Sequence, residues 1–269
     1  MTTYQKIISK FKEKKHICVG LDPDLEKLPR HLNGDIVEFC NTIVDHTAEY
    51  AAAYKINLAF FECFGAEGFE KLKIVVNHIK KIDNDIPVIG DAKRGDIGNT
   101  SKKYAEALFN YFNFDSITLS PYMGKDSLDP FFDFNDKLNF VLALTSNKGS
   151  NDFEQLETTS GERVYEVVIR KLRSWYPPEK VGIVFGATNL NELINKIHEI
   201  KDIPVLIPGV GAQGGELTDV ARVFYNANSS NFLVNLSRGI LYLDNSIEFG
   251  KAAGAEIKRL NKIVEEIYL

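Results

Sequence analysis

The chain is poor in the residues that would make a stapled, secreted or metal-bound protein. Its three cysteines, Cys18, Cys40 and Cys63, lie far apart, and no Cys-x-x-Cys occurs. Three thiols cannot all pair, so they are expected to be reduced core or near-core thiols of a cytoplasmic protein. A catalytic thiol is the lesser alternative. No run of about 18 consecutive apolar residues exists, so no segment is expected to span a membrane. The N-terminal stretch MTTYQKIISKFKEKK is lysine-rich but lacks an apolar centre. It reads as a short amphipathic helix rather than a secretory signal. Excess positive charge is missing too: 32 Lys and Arg stand against 37 Asp and Glu, a net −5. That balance argues against general nucleic-acid binding, which needs a basic face. It leaves room for a small anionic substrate, because a local positive pocket suffices.

Metal and nucleophile patterns are equally scarce. His16, His31, His46, His78 and His198 show no ligand spacing, so satisfied or solvent-facing histidines are expected and no metal is assigned. Asp91 and Asp96 could offer oxygen ligands to Mg²⁺, but Lys93 between them already occupies that negative potential. No G-x-S-x-G elbow and no Walker A loop appear. No glycine- or serine-rich linker divides residues 1–269, which therefore read as one domain.

What is present is a rhythm. Short apolar runs end in polar or glycine residues, and an amphipathic stretch follows each. The runs are His16–Asp22, Ala52–Asn57, Pro87–Lys93, Ser116–Ser120, Phe140–Thr145, Val181–Ala187, Pro204–Pro208 and Phe232–Ser237. Nearly continuous apolar character of this kind marks parallel strands covered on both faces. Between them, Asp35–Tyr50, Gly68–Ile82, Asn99–Asn110, Gly161–Ser174, Leu190–Ile200 and Glu216–Asn226 carry helical spacing. Gly124–Asn135 carries it least well, being phenylalanine-rich and short of strong helix formers. Ser246–Leu269 closes the chain with an apolar stripe through Ile247, Phe249, Ala252, Ile257, Leu260 and Ile263. Eight such units predict a (β/α)8 TIM barrel with a short N-terminal helix, in preference to an open doubly wound sheet. The polar segment Ser146–Ser160 reads equally as a lid or as a solvated loop.

In such a barrel the C-terminal strand ends build the site. The first strand ends in Asp22, the second carries Lys55 and Asn57, and the third carries Asp91 and Lys93 with Asp96 close behind. Asp91 and Lys93 are two apart, as are Lys55 and Asn57, so each pair is expected to share a strand face. Several charges meeting in a small volume must neutralise one another. The plain alternative is a structural ion-pair cluster. Across the barrel mouth, Pro208–Gly215 reads PGVGAQGG, and Ser237-Arg238-Gly239 follows the eighth strand. Glycine-rich backbone and an arginine fork at the seventh and eighth loops suit a phosphate. The embedded G-x-G-x-x-G sits too late in the chain for a dinucleotide fingerprint, and the strand after it ends in Asn235 and Ser237 rather than an acid.

DAKRGDI, residues 91–97, matches the Asp-x-Lys-x-x-Asp-Ile motif of the orotidine 5′-phosphate decarboxylases. The chain resembles that family over nearly its whole length, through GLDPD, YKIN, PGVGAQ and SRG. DAKRGDIGNTSKKYA and LTSNKGS resemble its longer subgroup, found in bacteria and apicomplexan parasites. The resemblance implies a decarboxylase that turns orotidine 5′-phosphate into uridine 5′-phosphate without a cofactor. It implies a charged array of Lys55, Asp91 and Lys93, completed by Asp96, with Asp22 and Asn57 on the ribose or in the charge network. It further implies a homodimer in which Asp96, Ile97 and Thr100 reach into the neighbouring site. Ser146 or Asn147 would contact the pyrimidine, and Pro208 would pack near it. Gln213 and Arg238, with the backbone of Gly211 and Gly239, would hold the 5′-phosphate.

The chemistry those roles require agrees with the residues. Losing CO₂ from C6 leaves a carbanion without a conjugated sink, and an adjacent ammonium can stabilise and then protonate it. Lys93 is the residue expected there. Three other readings compete. Mg²⁺-dependent sugar-phosphate enzymes of the same superfamily lack the full Lys–Asp–Lys–Asp array. A Schiff-base aldolase needs a neutral lysine, which flanking carboxylates oppose. A non-catalytic nucleotide-binding barrel has no use for a cluster that repels the substrate carboxylate.

Overall fold

The computed structural model describes residues 1–211 and 216–269. Eight parallel strands close into a barrel in sequence order, β1 pairing with β8. They are β1 Ile17–Leu21, β2 Ala53–Asn57, β3 Val88–Arg94 and β4 Ser116–Leu119. Then come β5 Asn139–Leu144, β6 Val181–Phe185, β7 Val205–Pro208 and β8 Phe232–Leu236. All eight lie inside or overlap the predicted runs.

Alternation along the strands sorts side chains into two layers. Cys18, Ala53, Ile89, Phe140, Val184, Leu206 and Leu233 pack together inside the barrel. Their neighbours in sequence, such as Val19, Tyr54, Val88, Val141 and Val234, pack outward against the helices. Continuing the inward column by two residues reaches Lys55 from Ala53 and Asp91 from Ile89, so pleat geometry alone carries charge to the upper interior.

Helix α1, Thr3–Lys12, closes the lower end, with Ile7 and Phe11 in the interior cluster. A capping box of Thr2 and Gln5 starts it. Two of its lysines, Lys6 and Lys10, are buried: Lys6 reaches Asp115, which Lys80 of the helix Gly65–Ile82 also reaches and which accepts from the Val88 amide. Beside it, His16 stacks between Phe11 and Phe232, and burial lowers its pKa to about 4, keeping the ring neutral.

The chain ends in helix α9, Phe249–Ile267; between them lie α2 Ile36–Thr47, α3 Gly65–Ile82, α4 Gly98–Ala105, α5 Lys125–Phe132, α6 Val164–Trp175, α7 Leu190–Ile200 and α8 Leu217–Asn226. The phenylalanine-rich stretch therefore does form a helix, because Leu128, Phe131 and Phe132 are buried on one side of it and tertiary packing outweighs weak propensity. Two expectations need correction. Ile247 precedes α9 and is 76% exposed, so the buried stripe begins at Phe249 and runs through Ala253, Ile257, Leu260 and Val264. Cys63 is exposed, at the end of a single turn after β2, whereas Cys18 and Cys40 are buried. Burial pushes the Cys18 thiol up to about 12 and the Cys40 thiol upward as well, which removes both as thiolate nucleophiles. No helix among the described residues is long and apolar enough to cross a membrane.

Candidate active site

Four neighbouring strand ends build one hydrogen-bonded array. Lys55 is 5% exposed, and its Nζ donates to Asp91 Oδ2 at 2.9 Å. A second carboxylate, Asp22, has its Oδ1 3.9 Å from the same Nζ. Burial alone would drive the Lys55 pKa down, but the charges of Asp22 and Asp91 outweigh it and hold it above the ordinary value. Asp91 mirrors this: burial acts upward, while the charges of Lys55 and Lys93 and their hydrogen bonds hold it well below the usual carboxylate range. A charge-paired, hydrogen-bonded cluster can be buried this way without unpaired cost.

Lys93 joins the array by an irregular route. Its Nζ donates to Asp91 Oδ1 at 2.7 Å, yet its side chain is 51% exposed toward the barrel mouth. The expectation that Asp91 and Lys93 meet through regular strand alternation is corrected here. The β3–β4 register shifts between Gly90 and Arg94, and Lys93 adopts a left-handed φ of 47°. A bulge with a strained residue re-aims a side chain, and such features gather at functional sites.

Asp22 is fixed from three sides. Ser237 Oγ donates to its Oδ2 at 2.6 Å, the Asn57 amide donates to its Oδ1 at 3.3 Å, and Tyr242 donates to its backbone oxygen at 3.0 Å. Gly20 is obligatory beside this link, since a Cβ there would collide with the Ser237 side chain. The Asn57 side chain itself turns away and accepts from the Ala59 amide at 3.1 Å.

An approximately 830 Å³ cleft joins Asp22 to the opposite rim. Ser146, Pro208, Gly211, Arg238 and Gly239 line it. Gly211 has a φ of 75°, a conformation suited to glycine and to backbone amides turned toward an anion. Arg238 is exposed at the start of a single turn, Arg238–Leu241, and makes no ion pair among the described residues. Asn147 is exposed and accepts from Thr145 Oγ1 at 2.7 Å, while Ser146 is half-buried at the cleft wall. The segment around them is locally ordered: Ser150–Phe153 forms one helical turn, and Glu154 accepts from the Thr145 amide at 2.6 Å. Gln213 lies outside the described residues.

Asp96 is not brought to Lys93 within one chain. Its Oδ1 accepts from the Ile97 amide at 2.7 Å, and it forms no ion pair among the described residues. Ile97 is 58% exposed, and Thr100 is also exposed at the start of α4.

Sequence reading missed Thr118, whose hydroxyl donates to Asp91 Oδ1 at 2.8 Å, Ser237 as a partner of Asp22, and Tyr242. Thr118 had a usable signal, since it lies two residues beyond Ser116 on the inward face of β4 and opposite the end of β3. Tyr242 had none, because its contacts with the Asp22 region span the whole length of the barrel chain.

The model of the orotidine 5′-phosphate decarboxylase / HUMPS family matches residues 15–253. An orotidine 5′-phosphate decarboxylase of Bacteroides fragilis is 45% identical over 269 residues, covering 97% of each chain. That of Flavobacterium johnsoniae is 41% identical, covering 99% of this chain and 98% of its own. The solved OMP decarboxylase of Leishmania donovani superposes with a TM-score of 0.84 at 38% identity, over 98% of this chain and 100% of that one.

Proposed function

The chain belongs to the orotidine 5′-phosphate decarboxylase / HUMPS family, and from that premise we propose how its site converts orotidine 5′-phosphate into uridine 5′-phosphate and CO₂. The observation that carries the reading is the Lys55–Asp91–Lys93 array with Asp22 beside it. The C6–carboxylate bond breaks, CO₂ leaves, and the electron pair stays on C6. The Lys93 ammonium faces that pair, stabilises it, and delivers a proton to C6; solvent then reprotonates the amine. Asp91 holds Lys93 from one side, and Lys55 keeps Asp91 ionised. Fixed charges of this kind lower the barrier because they need no reorganisation when the carbanion forms.

Binding falls to the rest of the cleft. Asp22 and Asn57 hold the ribose or the charge network, Asn57 through its amide on Asp22 Oδ1, Ser146 or Asn147 meets the pyrimidine, and Pro208 packs against it. Arg238, Gln213 and the amides of Gly211 and Gly239 take the phosphate, whose remote binding energy holds the ring in place. One barrel domain over residues 1–269 carries all of this in the cytoplasm, as a homodimer. In that dimer Asp96, Ile97 and Thr100 complete the neighbouring site, which accounts for the exposure of Ile97 and Thr100 and for the missing Asp96–Lys93 pair within one chain. Neither metal nor organic cofactor enters the reaction. Loss of the ultraviolet absorbance of orotidine 5′-phosphate on adding the purified chain tests the activity; unchanged absorbance contradicts it.

Arg238→Ala should weaken the phosphorylated substrate mainly through KM, with a smaller loss in kcat. A charge-assisted, two-pronged contact contributes about 1.5–3 kcal/mol, or roughly 10–150-fold. Orotidine without its phosphate should be a poor substrate for both proteins, with little difference between them. Equal damage toward both substrates would show that Arg238 does not hold the phosphate.

A further inference from the structure

Three residues of β3 stand opposite one residue of β4. Gly90 pairs with Ile117 and Arg94 with Leu119, so Asp91, Ala92 and Lys93 all face Thr118. A regular ladder would give the Lys93 amide a main-chain acceptor; here it donates to Thr118 Oγ1 at 3.0 Å instead. The same hydroxyl donates to Asp91 Oδ1 at 2.8 Å. That oxygen also receives the Lys93 ammonium at 2.7 Å. One hydroxyl thus closes a ring through the Lys93 backbone, the Lys93 ammonium and Asp91. Thr118 is 2% exposed, so solvent has no ready access to take its place.

We propose that Thr118 is a positioning residue for Lys93, holding its left-handed backbone and the Asp91 carboxylate in the one arrangement that aims the ammonium at the reacting carbon. The proposal rests on Lys93 being the proton donor. A hydroxyl is required because the position must accept one hydrogen bond and donate another at once, and serine or threonine does both. Valine has threonine's shape but neither function. It would leave the Lys93 amide unpartnered and remove one of the three donors to Asp91, without opening a cavity. Loss of a partner that orients a reacting group commonly costs 10–100-fold in activity. Because Thr118 is buried and its hydroxyl is engaged by Asp91 and the Lys93 amide, the loss should fall on the chemical step.

Thr118→Val and Thr118→Ser test this, assayed beside the unaltered protein with orotidine 5′-phosphate and titrated with uridine 5′-phosphate. The valine variant should lose about 10–100-fold in kcat. Its KM and its affinity for uridine 5′-phosphate should stay within about twofold, the pattern of an interaction used only in the transition state. Serine should restore kcat to within about threefold of the unaltered protein, since it keeps both hydrogen bonds. A valine variant with full kcat, a serine variant as impaired as valine, or a loss in binding as large as the loss in kcat would each overturn the proposal. If the valine chain does not fold, Thr118→Ala replaces it: serine well above alanine supports the role, and equality overturns it. Absence of turnover by the unaltered protein would instead contradict the decarboxylase reading itself.

Discussion

Lys93→Ala is expected to lower kcat by at least about 10²-fold, the usual cost of removing one preorganised electrostatic group, while the barrel remains folded. The side chain is half-exposed and packs into no core cluster, so its truncation leaves no cavity. Its loss removes one charge beside Asp91, but Lys55 and Thr118 still donate to that carboxylate at 2.9 and 2.8 Å. Stability should therefore change little, whereas the carbanion loses its nearest cation and its proton source together. Both kcat and kcat/KM should fall by the same factor. Thermal unfolding measured beside kinetics separates the two effects. A variant retaining more than about a tenth of the original kcat would remove Lys93 from its central role, given the size of such effects.

Mixing two inactive variants, Lys93→Ala and Asp96→Ala, is expected to restore activity. Within one chain Asp96 turns to the Ile97 amide and leaves Lys93 with Asp91 alone. If Asp96 instead completes the neighbouring site, a mixed dimer gathers both lesions in one site and leaves the other whole. Random pairing of equal pools makes half of the dimers mixed, so about a quarter of all sites should be intact under two-fold symmetry. Refolding the variants together, then assaying against each refolded alone, reads this directly. If mixing restores nothing, Asp96 serves its own subunit and the shared site must be given up.

The architecture was legible because parallel strands covered on both faces read as continuous apolar runs, and α2 through α9 separate them by helical spacing. The charged array was legible for a related reason: Lys55 and Asp91 each follow an inward apolar residue by two positions. Local pattern runs out where partners are distant. The bulge that turns Lys93 depends on how β3 registers against β4, and no periodicity within either strand records it. Thr118 is legible as inward-facing from the alternation of β4, but its link to Asp91 depends on that same register. The lysine-rich amphipathic pattern of α1 carries no sign that Asp115, more than a hundred residues on, takes up Lys6. Ile247 failed for the opposite reason, since an apolar residue just outside a helix cap carries the stripe's character without its direction.

Fixed side-chain charge, rather than a bound metal, is expected to carry the reaction. The Lys93 ammonium, donating to Asp91 Oδ1 at 2.7 Å, occupies the side of that carboxylate a cation would take. The most direct measurement is the rate of orotidine 5′-phosphate consumption by protein dialysed exhaustively against EDTA, with and without added Mg²⁺. The rate should equal that of the undialysed protein and should not respond to the metal. A rate abolished by chelation and restored by Mg²⁺ would contradict the account and place the chemistry with the metal-dependent sugar-phosphate enzymes of the superfamily.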